Sequence, residues 1–290
     1  MKTTFDSKHT VAHVGLHKTG TSALQRFLKA THSDYFFANN CEFIELVRAT
    51  ASGQHLLLSD ESLSGIPYHV DERNTLDRFR DGIRATHRVF QPSQYILGLR
   101  EHTGFIESCY RQYLAEGGLL DFEEFFTGDP TGVMDLTETG WRDRILFLQQ
   151  LVGEANVFVY LQEDLARDFD RVKSGLEAFL DTRFSGRSNL PKRNIGVGVR
   201  TAKILQTCNR IDEHLERLKL PKLRGQFTKM LGMSSPQICR KWLSWIPQSR
   251  RFFSAERAEA LKEQFATDWQ FAKDSRTYAN QFRQAPRDAA

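Results

Sequence analysis

Cysteine is scarce: four in 290 residues, Cys41, Cys109, Cys208 and Cys239. None forms a C-x-x-C pair, so a disulfide scaffold is excluded, no metal site is suggested, and reduced, mostly buried thiols are the default. No apolar run approaches the roughly 20 residues needed to span a bilayer, and residues 1–10 lead into the first apolar segment without a hydrophobic signal core. A cytoplasmic protein is the expectation. Charge of one sign is also in short supply. The 40 basic and 36 acidic residues leave a net +4, too mild an excess to imply nucleic acid. There is no internal repeat, low-complexity tract or flexible linker. What is there, 40% apolar and 26% charged residues, can bury a large core as one domain or as one domain with an annex.

The stretch from Val11 to Leu28 organises the chain. A short apolar run breaks at Gly15 and restarts as an amphipathic helix with Ala23, Leu24, Phe27 and Leu28 at helical spacing. Strand, phosphate-binding turn and helix is the reading. Gly15 and Gly20 let the backbone bend and approach a ligand, while Thr19, Thr21 and Ser22 add hydroxyls where helix-start N–H groups favour an anion. A nucleotide triphosphatase loop reads G-x-x-x-x-G-K-[ST]; here Gly15-Leu-His-Lys-Thr-Gly20-Thr21-Ser22 keeps the glycine spacing, but Thr21 takes the lysine's place. The lysine sits inside the loop as Lys18. That argues against an ATPase or GTPase and for a loop that grips a 5′-phosphate and touches the oxygen leaving from it.

Further along, residues 35–47 carry apolar side chains without a secure assignment. His55–Asp60 is a buried strand opening onto the polar cluster Glu61–Gly65, where a parallel strand's carboxyl end meets a ligand crevice. Asn74–Phe90 reads as a helix, with His87 on its face, and Tyr95–Arg100 as a strand ending on an arginine. In the helix that follows, Ser108 leans back toward Arg100. Trp141–Leu151 is a helix, Asn156–Leu161 a strand, and Leu165, Phe169, Val172, Leu176 and Phe179 form a helical stripe. This alternation predicts an α/β fold, a parallel β-sheet with helices on both faces. Beyond Leu190 comes a basic glycine-containing loop with Lys192, Arg193, Asn194 and Gly196, then helices only. From Arg217 through Arg251 there are nine basic residues and no acid, interleaved with Trp242 and Trp245. A last helix starts at Ser254. The expected organisation is a core over 1–200 and a basic helical annex over 201–290.

Three features together, the His17-Lys-Thr-Gly-Thr-Ser22 loop, Arg100 with Ser108, and Gln162-Glu-Asp-Leu165 closing a strand, resemble the sulfotransferases that use 3′-phosphoadenosine-5′-phosphosulfate. The resemblance covers roughly residues 11–200, and the His-Lys-Thr-Gly-Thr run is more like bacterial members. It implies a sulfotransferase fold related to the P-loop proteins. Lys18, Thr19, Gly20, Thr21 and Ser22 would bind the 5′-phosphosulfate, and Arg100 with Ser108 the 3′-phosphate. Arg193 would belong to a basic loop closing over the nucleotide. A donor with two separated phosphates needs two anion sites, and an arginine fork suits the lone 3′-phosphate. The family often has proline where this chain has His17, which either contacts the phosphosulfate or packs beside the loop.

Sulfuryl transfer needs in-line geometry and a cation at the leaving oxygen; Lys18 is the candidate, and no metal is required. A base must take the acceptor's proton. Related sugar sulfotransferases use a glutamate in a Ser-x-Glu context, here Ser59-Asp60-Glu61, so Glu61 is the candidate and Asp60 its competitor. The expected acceptor is a hydroxyl of a carbohydrate or lipid-linked molecule. Residues 217–251 are a solvated annex, a surface for an anionic glycan, or a peripheral contact with the inner face of a membrane. A P-loop kinase using Mg-ATP and a non-catalytic nucleotide- or glycan-binding module are the competing readings. Oligomeric state is not legible.

Overall fold

The computed structural model describes residues 9–39, 43–64, 74–127, 133–134, 140–186, 190, 198–218, 249 and 251–280. The chain forms two compact units: Met1–His102 with Leu136–Arg193 and Gln264–Ala290, and Thr103–Asp135 with Asn194–Glu263. Arg193 and its basic loop lie outside the described residues, as do Trp242, Trp245 and most of the stretch from 217 to 251. Residues 264–280, expected in the annex, belong to the first unit.

The first unit is built on a five-stranded sheet. Its strands are β1 (Thr10–His13), β3 (Tyr35–Asn39), β4 (His55–Ser59), β5 (Gln94–Leu99) and β6 (Val157–Leu161), in the order β3-β4-β1-β5-β6. All pairs are parallel, with Val11 opposite Leu57, Ala12 opposite Tyr95, and Ile96 opposite Phe158. Strands buried on both faces read as unbroken apolar runs, which is why four of the five stand out in the sequence. The fifth, β3, is an edge strand followed by α2 (Phe43–Ser52). Here Val47 is half exposed, and an interrupted apolar stripe gives a weak periodic signal.

The chain runs from β1 toward β3 on one side and from β5 to β6 on the other. The carboxyl ends of β1 and β5 therefore flank the point where the winding reverses, the place where open α/β sheets bind ligands. One face of the sheet is covered by α1 (Thr21–Lys29) and α8 (Phe169–Leu180), whose Leu24, Phe27, Leu28, Val172 and Leu176 pack against Val11, Leu57, Ile96 and Phe158. Elsewhere in the unit lie α3 (Thr75–Phe90) and α6 (Trp141–Val152). Arg144 of α6 is fully buried, yet it donates to the Gly140 carbonyl at 2.6 Å and Thr75 Oγ1 at 2.9 Å, with its plane over Phe79 and Trp141. A short antiparallel pair, β2 (Thr31–His32) and β7 (Ser185–Gly186), lies apart from the main sheet.

The described elements of the second unit are helices, beside an isolated β-bridge between Phe126 and Met134. The unit holds all but the first residue of α4 (His102–Ala115), then α5 (Phe122–Phe125), α9 (Val199–Arg217) and most of α10 (Ala255–Gln264). An aromatic cluster of Tyr110, Phe122, Phe125, Phe252 and Phe253 fills it. Asn209 of α9 donates to the carbonyls of Leu114 and Gly118, both at 2.9 Å. Asp121 and Glu124 form a reciprocal capping box on α5.

Back in the first unit, Asp268 of α11 (Ala266–Asp274) replaces the missing side-chain cap of α6, whose N-cap is Gly140. Its oxygens accept the Trp141 and Arg142 N–H groups, each at 2.9 Å, and pair with His102 Nε2 at 2.9 Å. Burial pushes the carboxyl up, but the hydrogen bonds from His102, Trp141 and Arg142 and the His102 charge outweigh it, and the net shift is downward from 3.8. A lowered folded value means this stability is fully present above pH 3.8 and is lost as pH falls through the lower, folded value. Asp268→Asn should cost about 1–3 kcal/mol in denaturant unfolding at neutral pH and flatten the acid limb of the stability profile. An acid limb identical to wild type would show that Asp268 does not supply this linkage.

Candidate active site

The segment Val14–Gly20 leaves β1 and turns into α1. The Val14 N–H bonds the Ile96 carbonyl at 2.9 Å, prolonging the β1–β5 ladder into the loop. One acceptor then organises the turn. The Leu16 carbonyl takes Thr19 Oγ1 at 2.7 Å, Thr21 Oγ1 at 3.2 Å and the Thr19 N–H at 3.3 Å. Both threonines are buried. Their hydroxyls hold the turn in shape, so what Thr21 offers an anion is its backbone N–H, at the start of a helix that has no side-chain cap.

Two residues of the loop have positive φ. Gly20 lies at +91°, which favours glycine, and a Cβ there would also crowd Leu165 Cδ2 at 3.0 Å. Lys18 lies at +70°, a conformation that costs an ordinary residue roughly 1–2 kcal/mol and is kept only when its surroundings enforce it. Arg100, just past the end of β5, is part of that enforcement: its Nη1 donates to the Lys18 carbonyl at 3.2 Å.

On the other side stands the turn after β4. Asp60 and Glu61, adjacent in sequence, have different partners. Asp60 Oδ1 accepts the Ser62 N–H at 2.8 Å and the Ser62 hydroxyl at 2.5 Å, closing its own 3-10 turn, Glu61–Ser64. The Ser64 hydroxyl donates to the Val14 carbonyl and ties that turn to the loop. Glu61 reaches the loop itself: Oε1 accepts Ser22 Oγ at 2.7 Å, and Oε2 pairs with His17 Nδ1 at 2.9 Å. Burial acts to raise its pKa, but the hydrogen bonds from His17 and Ser22 and the charges of His17 and Lys18 outweigh it, leaving it below the ordinary glutamate value.

Beneath the loop runs a polar chain that no sequence motif announced. His13, fully buried at the end of β1, bonds Ser59 Oγ through Nδ1 at 2.8 Å and Tyr160 Oη through Nε2 at 3.1 Å. Gln25 of α1 donates to the same Ser59 oxygen at 3.2 Å. Burial pushes the imidazole down to about 4, against the pull of Glu61, so His13 is neutral at physiological pH. Tyr160, also driven by burial, is held far above the ordinary tyrosine value. Its ring crosses β5 at Gly98, where a Cβ would stand 2.4 Å from the hydroxyl. The available signal was a glycine inside an apolar strand, flanked in the sheet by strands ending in His13 and Tyr160-Leu161.

The Glu163-Asp164-Leu165 segment, in α7 (Gln162–Arg167), supports the same corner. Glu163 Oε1 accepts the Glu101 N–H at 3.1 Å, while its other oxygen is buried without a hydrogen-bond partner. Burial raises this carboxyl despite two backbone hydrogen bonds and the Arg100 charge. Asp164 accepts Arg276 Nη1 at 2.9 Å and the Tyr278 hydroxyl at 2.7 Å. Leu165 packs under Gly20.

The structure thus gathers His17, Lys18, Thr19, Gly20, Thr21, Ser22, Glu61 and Arg100 around one turn. Ser108 belongs to the second unit, half-buried on α4. Among the described residues no group of three or more His, Cys, Asp or Glu is placed to hold a metal ion, and no helix is long and apolar enough to cross a membrane.

No protein-family model and no curated protein matches the sequence. Among solved structures, the chain is similar to a sulfotransferase from Alicyclobacillus acidocaldarius at 15% identity and TM-score 0.47, covering 74% of this chain and 95% of that one. It is also similar to mouse sulfotransferase SULT7A1 complexed with PAP, at 12% identity and TM-score 0.47, covering 94% and 90%. Likenesses at this level assign no ligand or reaction, and the chemistry must come from the residues.

Gly98→Ala should displace Tyr160 from His13 and destabilise the protein by about 1–3 kcal/mol, as overpacking does, read as a lower denaturant midpoint. Gly98→Ala with unchanged stability would mean that Tyr160 does not need this passage.

Proposed function

We propose that this chain is a sulfotransferase, moving a sulfuryl group from 3′-phosphoadenosine-5′-phosphosulfate to a hydroxyl of a carbohydrate or lipid-linked acceptor. The observation that carries the reading is the loop itself. Its lysine is held in a left-handed conformation with its carbonyl fixed by Arg100, and a carboxylate influenced by the Lys18 charge stands alongside. Thr21, where a nucleotide triphosphatase carries lysine, is buried and bonded inward. The sequence resemblance supports the same reading and adds Ser108 and Arg193 to the donor-binding set.

In this reading the start of α1 and Lys18 hold the 5′-phosphosulfate, and Arg100 serves the 3′-phosphate. The bond between sulfur and the bridging phosphate oxygen breaks as one forms between sulfur and the acceptor oxygen. Lys18 meets the charge that develops on the leaving phosphate. The acceptor's proton goes to the Glu61–His17 pair. Glu61 is a weak base with both oxygens engaged, so its part is to orient the imidazole through Nδ1, leaving Nε2 of the partly exposed His17 to take the proton.

The first test is thermal stabilisation by 3′-phosphoadenosine-5′-phosphate against ATP with Mg²⁺. Selective stabilisation by the former, lost in Arg100→Ala, is expected; preference for Mg-ATP would replace this reading with a kinase. With labelled donor and a panel of glycans and hydroxylated lipids, Lys18→Ala should lower turnover by about 10²–10³-fold. Glu61→Gln and His17→Ala should each lower it by about 10²–10⁴-fold while leaving donor binding nearly intact. Full turnover in His17→Ala would return the base role to Glu61 alone.

A further inference from the structure

The opposite end of the sheet holds a cavity that the proposed reaction does not use. It lies where the strands begin: His9 precedes β1, and Tyr35, His55 and Gln94 are the first residues of β3, β4 and β5. Its volume is about 380 Å³, inside the range of roughly 300–1,000 Å³ typical of small-molecule sites.

Three rings form one wall. His9 and Tyr35 have centroids 6.1 Å apart, His9 and His55 5.7 Å, and Tyr35 and His55 5.3 Å. Both nitrogens of His9 are engaged, Nε2 with Gln94 Oε1 at 2.9 Å and Nδ1 with Ser93 Oγ at 2.8 Å, so this ring has its face to offer. The rest of the lining is rich in acceptors. The last turn of α8 presents the Phe179 carbonyl, which takes Gln94 Nε2 at 3.4 Å, and the Leu180 carbonyl, which takes the Tyr35 hydroxyl at 3.2 Å. Those carbonyls are the negative end of the helix dipole. Asp181 then caps α8 with φ at +49°, placing a carboxylate where the dipole disfavours one. Asp34 adds a second carboxylate, held by Thr182 Oγ1 at 2.9 Å. Among the described residues, no lysine or arginine lines the cavity. Burial, then the charges of Asp181 and Asp34, pushes the Tyr35 hydroxyl up to about 12; both carboxylates act on the ring wall.

We propose that this cavity binds a small organic cation, a primary alkylammonium group. Its N–H donors meet the two carboxylates and the carbonyl end of α8, and its stem lies on the ring wall beside Phe179 and Leu180. A metal ion suits the site poorly, because no three His, Cys, Asp or Glu among the described residues converge as ligands would. The proposal is independent of the sulfuryl-transfer reading, since none of these residues belongs to the loop site.

The test is titration of the full chain with n-butylammonium and with n-butanol, its neutral counterpart, followed by NMR of the His9 and His55 ring signals. Saturable shifts at millimolar n-butylammonium, none with n-butanol, and at least a tenfold weakening in both Asp181→Asn and Asp34→Ala are expected. Asparagine tolerates the left-handed cap, so Asp181→Asn keeps the fold. No saturable shift, an equal response to n-butanol, or undiminished affinity in Asp181→Asn would overturn the proposal. Stabilisation by 3′-phosphoadenosine-5′-phosphate, measured on the same variants, should be unchanged. Loss of ammonium binding alone sinks this inference, and loss of nucleotide stabilisation in the wild type alone sinks the other.

Discussion

One carbonyl oxygen, that of Leu16, sets the shape on which the loop site depends. Three donors from Thr19 and Thr21 converge on it, so the turn closes without help from any ligand. A loop that holds its own curvature pays little ordering entropy when an anion arrives. It also forces Lys18 into a conformation that an isolated lysine would leave. Neighbours resist that relaxation: Arg100 binds the Lys18 carbonyl, and Glu61 bonds the residues on either side, His17 and Ser22.

The legible and illegible parts of the molecule differ in physical kind. Parallel strands buried on both faces are written as apolar runs, so β1, β4, β5 and β6 could be placed to within a residue or two. The alternation of strand and helix likewise implied the sheet. The edge strand β3 and the interrupted stripe of α2 left no comparable trace. Among candidate site residues, the loop, Glu61 and Arg100 were visible because each falls just beyond a strand's carboxyl end. Choosing between Asp60 and Glu61 as the residue facing the loop needed coordinates, since one residue of register decides it. The network of His13, Ser59 and Tyr160 was invisible for another reason: it joins three strands across 147 residues of sequence separation, and only spatial order makes those residues neighbours.

Helix dipoles point opposite ways at the two ends of the sheet. At the carboxyl ends of its strands the start of α1 stands with Lys18 and Arg100 but also with Asp60 and Glu61; at the amino ends stand the carbonyl terminus of α8, Asp34 and Asp181. Parallel winding makes this possible, because each covering helix runs antiparallel to its strand and so shows one sign of its dipole to each edge. The proposed anion chemistry at one end and the proposed cation binding at the other would be two uses of the same arrangement.

Asp164 sits one residue before Leu165, which packs under Gly20, and its carboxylate is bonded by Arg276 and Tyr278. The residues that brace the corner beneath the loop are thus some 260 positions downstream of it. On a ribosome, the turn from Val14 to Gly20 emerges before every described helix, yet its support is complete only when nearly all of the described chain has been translated. A nascent chain would therefore carry the turn long before it could hold it rigid.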